Sequence, residues 1–482
     1  MTRAQFIDFI HFKTPLDYDL RGYFITVVST LWRLVKVENN KKRQLERRLL
    51  SFAVPVISSL FVQQLYGVID MVIIGKYLGA EELAAVGNAT SVVMLFIVIS
   101  GGIELAVEII ISRYIGNQET KNLAEASVSI LSFGFLIGVL VAALGLLNTA
   151  GMFRVIHLPA ELMAFAETYA KIYILGIPFI YLFDISRAML ISLGEANKSF
   201  QLMLASSILN LALNLFFIAV LHLGVAGSAL ATVLAQALCM LFSLKALHKK
   251  MKTNPHYTLR PSFKPRHLNE MAAIALPVIF QQFVVTFSSV IVQALVNPFG
   301  NEVIIGFVAI TKVMMISRIV IVGLAQTLTI FSAQLISGKR FEDLQTAYGF
   351  LVKTALLYAL LTGAIFKMAP AALANIFFDA DSHALAFSFF RAYLDSYLFI
   401  QLLSVFKFMN ESILRSALKM KEYLICNVGD LAVKLLSTYA LIAPYSTAAF
   451  WIGELAARCF VLAASFYYMR QLKNGWREEL AC

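Results

Sequence analysis

A single aspartate interrupts a long apolar stretch near the beginning of the chain. Asp70 stands in the middle of QQLYGVIDMVIIGKYLGA, residues 63–80. A charge inside a membrane-spanning helix costs about 2.5 kcal/mol or more, so such residues usually pair, face a cavity or perform a function. A carboxylate at this depth can bind and release a proton or hold a cation; the alternative is a structural carboxyl satisfied by neighbouring amides. Asp70 is therefore the first candidate for an ion-coupling site.

Two further groups of charged residues lie in apolar stretches of the first half. Asp184 and Arg187 in YLFDISRAML are three residues apart and share a helix face. They form either an internal ion pair or a switch in which Arg187 pairs with Asp184 or Asp70 according to protonation. Glu104 and Glu108 are four residues apart and also share a face. They either line a path for cationic substrates or are solvated near the cytoplasmic side.

Charged residues of the second half suggest local pairing. Asp430 with Lys434, and Glu454 with Arg458, have i,i+4 spacing, so each pair is predicted to neutralise itself across one helix face. Lys312 has no acidic residue nearby in the sequence and lies deep in an apolar stretch. We expect Lys312 to face the interior of its half and to contribute to a substrate path.

The composition indicates a membrane protein. The chain has 482 residues, of which 59% are hydrophobic and 14% are charged, whereas soluble domains are about 45–50% apolar and about 25% charged. The net charge of +11 comes from basic residues in short segments between apolar stretches. This distribution favours contact with a membrane surface over binding to nucleic acid.

Cysteines and histidines give no sign of enzyme chemistry. The four cysteines are scattered without metal-binding spacing, and the seven histidines fall in loops or termini. We find no nucleotide-binding or nucleophile-elbow motif. We therefore expect no disulfide, metal or cofactor, and a polytopic membrane enzyme is the less favoured interpretation.

Long apolar segments predict the number of membrane crossings. A helix needs about 20 apolar residues to cross the hydrocarbon, and an open sheet cannot cross it. Twelve segments qualify: 50–75, 83–112, 123–148, 161–192, 200–221, 226–246, 270–296, 303–333, 347–367, 386–412, 418–441 and 446–470. The expected fold class is an all-α polytopic membrane protein with 12 transmembrane helices.

Basic residues predict the orientation of these helices. They are concentrated at 33–48, before the first apolar segment, and at 245–266, between the sixth and seventh. Both termini are therefore expected in the cytoplasm. We divide the chain into a basic N-terminal segment (1–48), an N-lobe (49–247), a cytoplasmic linker (248–268), a C-lobe (269–472) and a tail (473–482). Within the first of these, YFITVVSTLWRLVKV has the pattern of an amphipathic helix on the membrane surface.

The two predicted lobes repeat one another. AVPVISSL in the first apolar segment is similar to ALPVIFQQ in the seventh, so Pro55 corresponds to Pro277. Gly116 and Gly338 lie 61 residues beyond these prolines, and each ends the second long helix of its lobe. Two six-helix units that both begin in the cytoplasm form a parallel repeat, related by a pseudo-twofold axis along the membrane normal. Transporters of this kind place substrate between the units, near the midplane.

The ordered motifs resemble those of the multidrug and toxin extrusion (MATE) family. The first span contains YGVIDMVIIGKYLGAEELAAVG, and the second ends with GGIELAVEIIISRYIGNQ, which has the family's glycine, arginine and glycine layout. LNLALNLFFIA carries an Asn-x-x-x-Asn box, GVAGSALAT is similar to the sixth-span signature, and GLAQTLTIFSAQLISG repeats the second-span motif. The resemblance covers about residues 45–475.

This resemblance implies a set of site residues in the N-lobe. In MATE subfamilies with an N-lobe cation site, a first-span aspartate and polar partners from spans four to six hold the ion. The matching residues here are Asp70, Tyr169, Asn210, Asn214 and Thr232. Pro55 lies where relatives bend the first helix.

The chain also departs from the family pattern. Asn214 replaces a second carboxylate found in some relatives, whereas Asp184 and Arg187 stand where relatives tend to carry amides. The C-lobe acids of other members are absent, with Val285 and Ser404 near their places. These differences favour ion coupling in the N-lobe, with Asp184 and Arg187 added to the candidate residues.

The resemblance implies a secondary active antiporter that exports amphipathic organic compounds in exchange for H+ or Na+. Its two lobes are expected to rock around a central cavity. A flippase for a lipid-linked or amphipathic intermediate is the alternative on the same scaffold. The expected partners are a small amphipathic organic substrate and the lipid bilayer, and the chain is expected to be a monomer in the plasma (inner) membrane.

Overall fold

Twelve long helices make up most of the described chain. The computed structural model describes residues 41–258 and 260–481, with side chains as far as residue 476. The predicted amphipathic helix before residue 41 lies outside the described residues. The long helices are α1 (Lys41–Tyr77), α2 (Ala80–Gly116), α3 (Thr120–Val155), α4 (Ala160–Ser192), α5 (Ala196–Leu215), α6 (Gly224–Met251), α7 (Pro265–Val296), α8 (Asn301–Ser337), α9 (Phe341–Met368), α10 (Ala384–Ser416), α11 (Met420–Tyr445) and α12 (Ala449–Ala481).

These helices confirm an all-helical membrane protein. Each predicted span overlaps one long helix. Within the described residues, ten stretches are long and apolar enough to cross a bilayer, with Met420–Trp476 counted once and α10 not among them. Twelve crossings therefore stay a prediction. Several helices also extend beyond the predicted spans, since α1 begins at Lys41 and α12 continues to Ala481.

The outer surface of the molecule is apolar. Leu136, Leu140, Leu144 and Leu147 form a stripe along α3, and each is more than half exposed. Residues spaced by three or four positions lie on one helix face. A continuous exposed apolar face of this kind suits contact with lipid, as expected for a multi-pass membrane protein.

Helices α1–α6 (the N-half) and α7–α12 (the C-half) contact each other through equivalent helices. Helix α1 packs against α5 of its own half and against α8, whereas α7 packs against α11 and against α2. Ile57 of α1 lies against Gly323 of α8, and Ile279 of α7 lies against Gly102 of α2. A Cβ at either glycine would overlap the isoleucine side chain. The first helix of each half therefore packs onto the second helix of the other half.

Glycines also mark equivalent turns in the two halves. Gly79 precedes α2 with a φ of 115°, and Gly300 precedes α8 with a φ of 89°. Residues with a Cβ rarely adopt such positive φ values, whereas glycine does so readily. These two positions allow the chain to turn directly from the first helix of each half into the second.

Candidate functional site

A buried polar cluster surrounds Asp70. We define the Asp70 cluster as Tyr66, Asp70, Asn210, Asn214, Ser228 and Thr232, to which α1, α5 and α6 each contribute two residues. Asp70 is only 7% exposed, and Asn214 and Ser228 are fully buried. The cluster contains one carboxylate and no basic side chain. Within it, only neutral hydroxyl and amide groups are available to stabilise a charge on Asp70.

Hydrogen bonds connect the members of this cluster. Asp70 Oδ1 accepts from Nδ2 of Asn214 and from Oγ of Ser228, the latter at 3.5 Å. Asn214 Nδ2 also lies 3.3 Å from Oδ1 of Asn210, whose Nδ2 donates to Oγ1 of Thr232 at 3.1 Å. Oδ1 of Asn214 is buried and has no hydrogen-bond partner among the described residues. An acceptor is therefore available beside the carboxylate, as a bound proton donor or small cation requires.

Helical spacing explains how three helices deliver the six side chains. Residues four positions apart share a helix face, and each helix contributes one such pair: Tyr66 and Asp70, Asn210 and Asn214, Ser228 and Thr232. The hydroxyl of Tyr66 lies 3.0 Å from Oγ1 of Thr232. The sequence predicted four members of the cluster, Asp70, Asn210, Asn214 and Thr232, but not Tyr66 or Ser228. The i,i+4 spacing was the available signal for both.

Tyr169 and Pro55 lie outside the cluster. Tyr169 is buried and stacks on Tyr173, with ring centroids 6.1 Å apart, and it interacts with Asp70 electrostatically. Pro55 is buried inside α1, and its carbonyl accepts a hydrogen bond from Ser59 Oγ at 2.9 Å. Proline lacks an N–H group and weakens a helix at its own position. A functional bend at Pro55 stays a prediction.

Asp184 and Arg187 form an ion pair beside the Asp70 cluster. Arg187 Nη1 lies 3.7 Å from Asp184 Oδ1, and Ser100 Oγ donates to Asp184 Oδ2 at 2.8 Å. The Arg187 guanidinium lies 5.4 Å from the ring centroid of Phe183, and its buried Nε has no hydrogen-bond partner among the described residues. Both charged residues line a small pocket together with three members of the Asp70 cluster. The geometry matches the predicted internal pair, and it also places Arg187 in the pocket that the switch would need.

A larger cavity of ≈ 710 Å³ lies between the N-half and the C-half. We call it the central cavity. Its volume falls in the range of about 300–1,000 Å³ that small-molecule sites occupy. Apolar side chains make up part of its lining, including Phe307, Met314, Met315, Phe408 and Phe450. The central cavity can therefore accommodate the apolar body of an organic molecule.

Glu104 and Glu108 line the central cavity from α2. Glu108 is 1% exposed, and its Oε1 accepts from Nε2 of Gln326 on α8 at 2.6 Å. Glu104 interacts electrostatically with Asp184 and Arg187. The position of both glutamates fits the predicted substrate path, and Glu104 lies within electrostatic reach of the pocket beside the Asp70 cluster.

Lys312 does not line the central cavity. Its side chain is exposed, and the cavity face of α8 contains Thr311, Met314, Met315 and Arg318 instead. The expectation that Lys312 faces the interior was wrong. Hydropathy places a residue along a helix but leaves its direction around the helix open. Arg318 provides the cationic side chain of α8 inside the cavity.

The C-half wall of the central cavity carries a set of interacting charges. We define the C-half ion network as Lys407, Glu411, Asp430, Lys434, Glu454 and Arg458, all of which line the cavity. Asp430 Oδ2 lies 2.6 Å from Lys407 Nζ and 2.6 Å from Arg458 Nη1. Glu454 pairs with Lys434 Nζ at 2.5 Å and with Arg458 Nη2 at 2.8 Å. Lys407 Nζ also lies 3.9 Å from Glu411 Oε1. Helices α10, α11 and α12 thus neutralise one another's buried charges.

The predicted pairing within α11 was wrong. Asp430 bonds to Lys407 of α10 and Arg458 of α12, whereas Lys434 bonds to Glu454 of α12. The predicted pair of Glu454 with Arg458 is confirmed. For Asp430 and Lys434, partners on neighbouring helices replace the partner one turn away in α11. The charged residues of α10, each one turn from the next, were the sequence signal that we missed.

Comparison with protein families identifies one matching model, described as MatE. It matches residues 55–216 and 277–440. The two matches begin at Pro55 and Pro277, the two prolines that correspond between the halves. The match is therefore repeated within the chain, once in each half.

The chain is similar to several bacterial proteins with assigned names. The probable multidrug resistance protein YoeA of Bacillus subtilis is 25% identical over 64% of this chain and 68% of that protein. The multidrug export protein MepA of Staphylococcus haemolyticus is 22% identical over 65% and 69%, respectively. The probable multidrug resistance protein NorM of Bacillus licheniformis is 23% identical over 91% and 98%.

Solved structures share the fold. The outward-facing conformation of a multidrug resistance MATE family transporter of the MOP superfamily matches with a TM-score of 0.82 at 23% identity, covering 92% of this chain and 100% of that chain. A MOP superfamily transporter from Pyrococcus furiosus, described as having a binding pocket of reverse polarity, matches over the same shares with a TM-score of 0.83 at 23% identity. At these identities the likeness concerns the fold alone.

Proposed function

Since the chain belongs to the MatE family, we propose that it is a secondary active antiporter that exports amphipathic organic compounds in exchange for H+ or Na+ bound at Asp70. The observation that carries this proposal is the Asp70 cluster, in which one buried carboxylate has only neutral hydrogen-bond partners. A carboxylate held by a cationic side chain keeps its charge, whereas Asp70 can accept a proton. Its amide and hydroxyl neighbours can equally offer oxygens to a cation. Ionisable groups of this kind within membrane helices commonly mark ion pathways.

The ion at Asp70 is proposed to act on the central cavity through the Asp184–Arg187 pair. Arg187 shares its pocket with Asn210 and Thr232 of the Asp70 cluster. Glu104, on the cavity wall, interacts with Arg187 electrostatically. A proton or Na+ at Asp70 would add positive charge beside the pocket that Arg187 shares with the Asp70 cluster, which changes the electrostatic potential at Arg187 and so at Glu104. This arrangement supports a link between ion binding and substrate binding.

Transport is proposed to occur by rocking of the two halves, as lobes of six transmembrane helices related by a pseudo-twofold axis along the membrane normal. The equivalent contacts of α1 with α8 and of α7 with α2 support this relation. About two helical turns beyond Glu108 and Gln326, which line the central cavity, the backbone of Gly116 packs closely against that of Gln334. The distribution of basic residues supports a cytoplasmic location for this end and for both termini. The structure then corresponds to a state closed towards the cytoplasm, in a plasma (inner) membrane monomer.

A flippase for a lipid-linked intermediate is the second candidate. The observation in its favour is the presence of Arg318 and Arg415 in the lining of the central cavity. Arginine matches the geometry of phosphate oxygens and is common where phosphate is recognised. A lipid-linked phosphate would therefore find cationic partners on the C-half wall.

Dye efflux from proteoliposomes tests the proposed antiport. Purified full-length protein is reconstituted, and a pH gradient is imposed with and without Na+. We expect Asp70→Asn to lower ion-driven efflux by more than about tenfold, because the amide cannot change its charge. Asp381→Asn, which alters an exposed carboxylate in the connection before α10, should leave efflux unchanged. Efflux driven by pH alone identifies H+ as the coupling ion, and a requirement for Na+ identifies Na+. Equal efflux by Asp70→Asn and the wild-type protein would contradict coupling at Asp70.

A further inference from the structure

A polar contact joins the two halves within one helical turn of Gly116. Arg113 Nη1 of α2 donates to Oε1 of Glu270 on α7 at 3.1 Å, and the Tyr114 hydroxyl donates to Oε2 at 2.6 Å. We call Arg113, Tyr114 and Glu270 the α2–α7 latch. Because α2 belongs to the N-half and α7 to the C-half, both hydrogen bonds cross from one half to the other.

The latch is partly shielded from water. The side chains of Arg113 and Glu270 are 29% and 22% exposed. His267 is 1% exposed and packs edge-on against the Tyr114 ring with centroids 6.2 Å apart, and its Nδ1 lies 3.9 Å from Glu270 Oε2. Hydrogen bonds to an ionised group are about twice as strong as neutral ones, whereas ion pairs on an open surface contribute little. Partial burial therefore gives the latch more effect than a fully exposed pair would have.

The segment between the halves is attached to the N-half up to the start of α7. Phe263 packs edge-on against Phe133 of α3, with ring centroids 5.4 Å apart. Lys264 Nζ lies 2.6 Å from Oε2 of Glu125, also on α3. Helix α7 begins at the next residue, Pro265. Since the preceding residues are held by α3, a movement of α7 with the C-half would act directly on the latch.

The equivalent junction of α1 with α8 is apolar. The correspondence between the halves places Arg48 where the latch has its glutamate, and Leu335 and Ile336 where it has its arginine and tyrosine. Leu49 and Leu335 belong to one buried apolar cluster, against which Leu45 and Ile336 pack. Apolar contacts are non-directional, whereas hydrogen bonds weaken steeply with distance and angle. The two junctions therefore differ in what must be broken for the halves to separate.

We propose that the α2–α7 latch is a conformational lock, which stabilises the state closed towards the cytoplasm and opens once in each transport cycle. The inference rests on the rocking proposed above and assigns a regulatory role to residues outside the Asp70 cluster and the lining of the central cavity. The latch lies beside the place where the backbone of α2 packs against that of α8. Its strength determines the fraction of the protein that is open towards the cytoplasm.

Cysteine labelling from the cytoplasmic side measures this fraction. Thr311→Cys places a thiol in the central cavity. Cys459→Ser and Cys482→Ser remove two other thiols, and Cys239 and Cys426 are buried. The full-length protein in inside-out membrane vesicles is treated with a membrane-impermeant maleimide. The reagent reaches position 311 only when the cavity opens towards the cytoplasm, so the labelling rate is proportional to the open fraction.

Variants of the latch should raise the labelling rate of this parent protein. Glu270→Gln and Arg113→Gln should each do so about tenfold, which corresponds to the loss of about one charge-assisted hydrogen bond. The double variant should be no faster than either single variant, because each change alone already removes the charge interaction. Additive effects would contradict a direct pair.

Two controls separate the latch from general effects on folding. Arg113→Lys keeps the positive charge and should be labelled at nearly the parent rate. Arg48→Gln changes the exposed residue at the equivalent position of α1 and should also leave the rate unchanged. An increase in Arg48→Gln as large as that in Glu270→Gln would contradict a role confined to the α2–α7 junction.

The outcomes also separate the lock from the proposed function. If Glu270→Gln is labelled at the parent rate, the lock is overturned and the rocking proposal is unaffected. If no protein is labelled, the cavity does not open towards the cytoplasm, and rocking fails together with the lock. If Asp70→Asn retains full ion-driven efflux while Glu270→Gln is labelled faster, coupling at Asp70 fails and the lock is supported.

Discussion

The Asp70 cluster and the C-half ion network each bury a carboxylate among helices. The partners of the carboxylate are neutral in the first and positively charged in the second. Asp70 and Asp430 are both 7% exposed. Asn214 and Ser228 donate neutral hydrogen bonds to Asp70, whereas Lys407 and Arg458 bring full positive charges to within 2.6 Å of Asp430. Burial alone therefore does not make a coupling site.

Because of this difference, Asp70 can change its charge, whereas Asp430 cannot do so without disrupting its ion pairs. Protonating Asp430 would leave two buried cations without their shared counter-charge. Protonating Asp70 would remove a charge that no cation of the cluster balances. We therefore expect the Asp70 cluster to serve ion coupling and the C-half ion network to hold α10, α11 and α12 together around the central cavity.

The largest expected effect follows from breaking the C-half ion network. Asp430→Asn removes the acid shared by Lys407 and Arg458 and leaves their charges buried. Breaking a buried pair in this way costs about 3–5 kcal/mol, so we expect a clear fall in Tm in detergent. Asp70→Asn keeps the shape and hydrogen bonding of its site and should lower Tm far less. The control is Asp395→Asn, an exposed carboxylate of α10. An unchanged Tm for Asp430→Asn would show that the network does not stabilise the C-half.

The next effect concerns the equivalent glycines at the end of the cavity that we propose to be closed. A Cβ at Gly116 would overlap the backbone carbonyl of Gln334, whereas a Cβ at Gly338 would lie 3.2 Å from the nearest carbonyl oxygens. Overpacking of a tight contact costs about 1–3 kcal/mol. Gly116→Ala should therefore weaken closure at this end and reduce efflux strongly, and Gly338→Ala should do so less. Equal efflux by both variants would argue against a close contact of α2 and α8 in the transport cycle.

A smaller effect is expected at the edge of the Asp70 cluster. Tyr66→Phe removes the hydroxyl that lies 3.0 Å from Thr232 Oγ1 and leaves the ring in place. The loss of one neutral hydrogen bond corresponds to about 0.5–1.5 kcal/mol. We expect efflux to fall a few-fold at limiting ion gradient and to recover as the gradient is increased. Tyr439→Phe, which changes an exposed tyrosine of α11, is the matched control. An effect as large as that of Asp70→Asn would mean that Tyr66 itself carries the coupling.

The smallest effect is expected at Lys312. Its side chain is exposed outside the central cavity, whereas Arg318 of the same helix lines it. Lys312→Gln should therefore leave dye efflux as in the wild-type protein. A loss of dye efflux in Lys312→Gln would restore the original expectation that Lys312 belongs to the substrate path.

Patterns within short segments were sufficient to predict the helices and part of the Asp70 cluster. The lengths of the apolar segments predicted each long helix, because the cost of burying backbone polar groups in lipid leaves few other solutions. The motifs of the family resemblance selected Asp70, Asn210, Asn214 and Thr232, and the structure brings these four into one hydrogen-bonded cluster. The same motifs selected Tyr169, which stacks on Tyr173 instead of bonding to Asp70.

The amino-acid sequence alone was enough to predict an all-helical membrane protein with two similar halves and a carboxylate within the apolar part of its first helix. The length of an apolar segment, the residues of a motif and the position of Asp70 can all be read from short segments of the sequence. The tertiary structure decided which charges meet. Asp430 bonds to α10 and α12 and not to Lys434 one turn away, and Arg318 faces the central cavity while Lys312 does not. Charge pairing depends on distances of a few ångströms between different helices and on the rotation of each helix about its axis, and neither is a property of one segment.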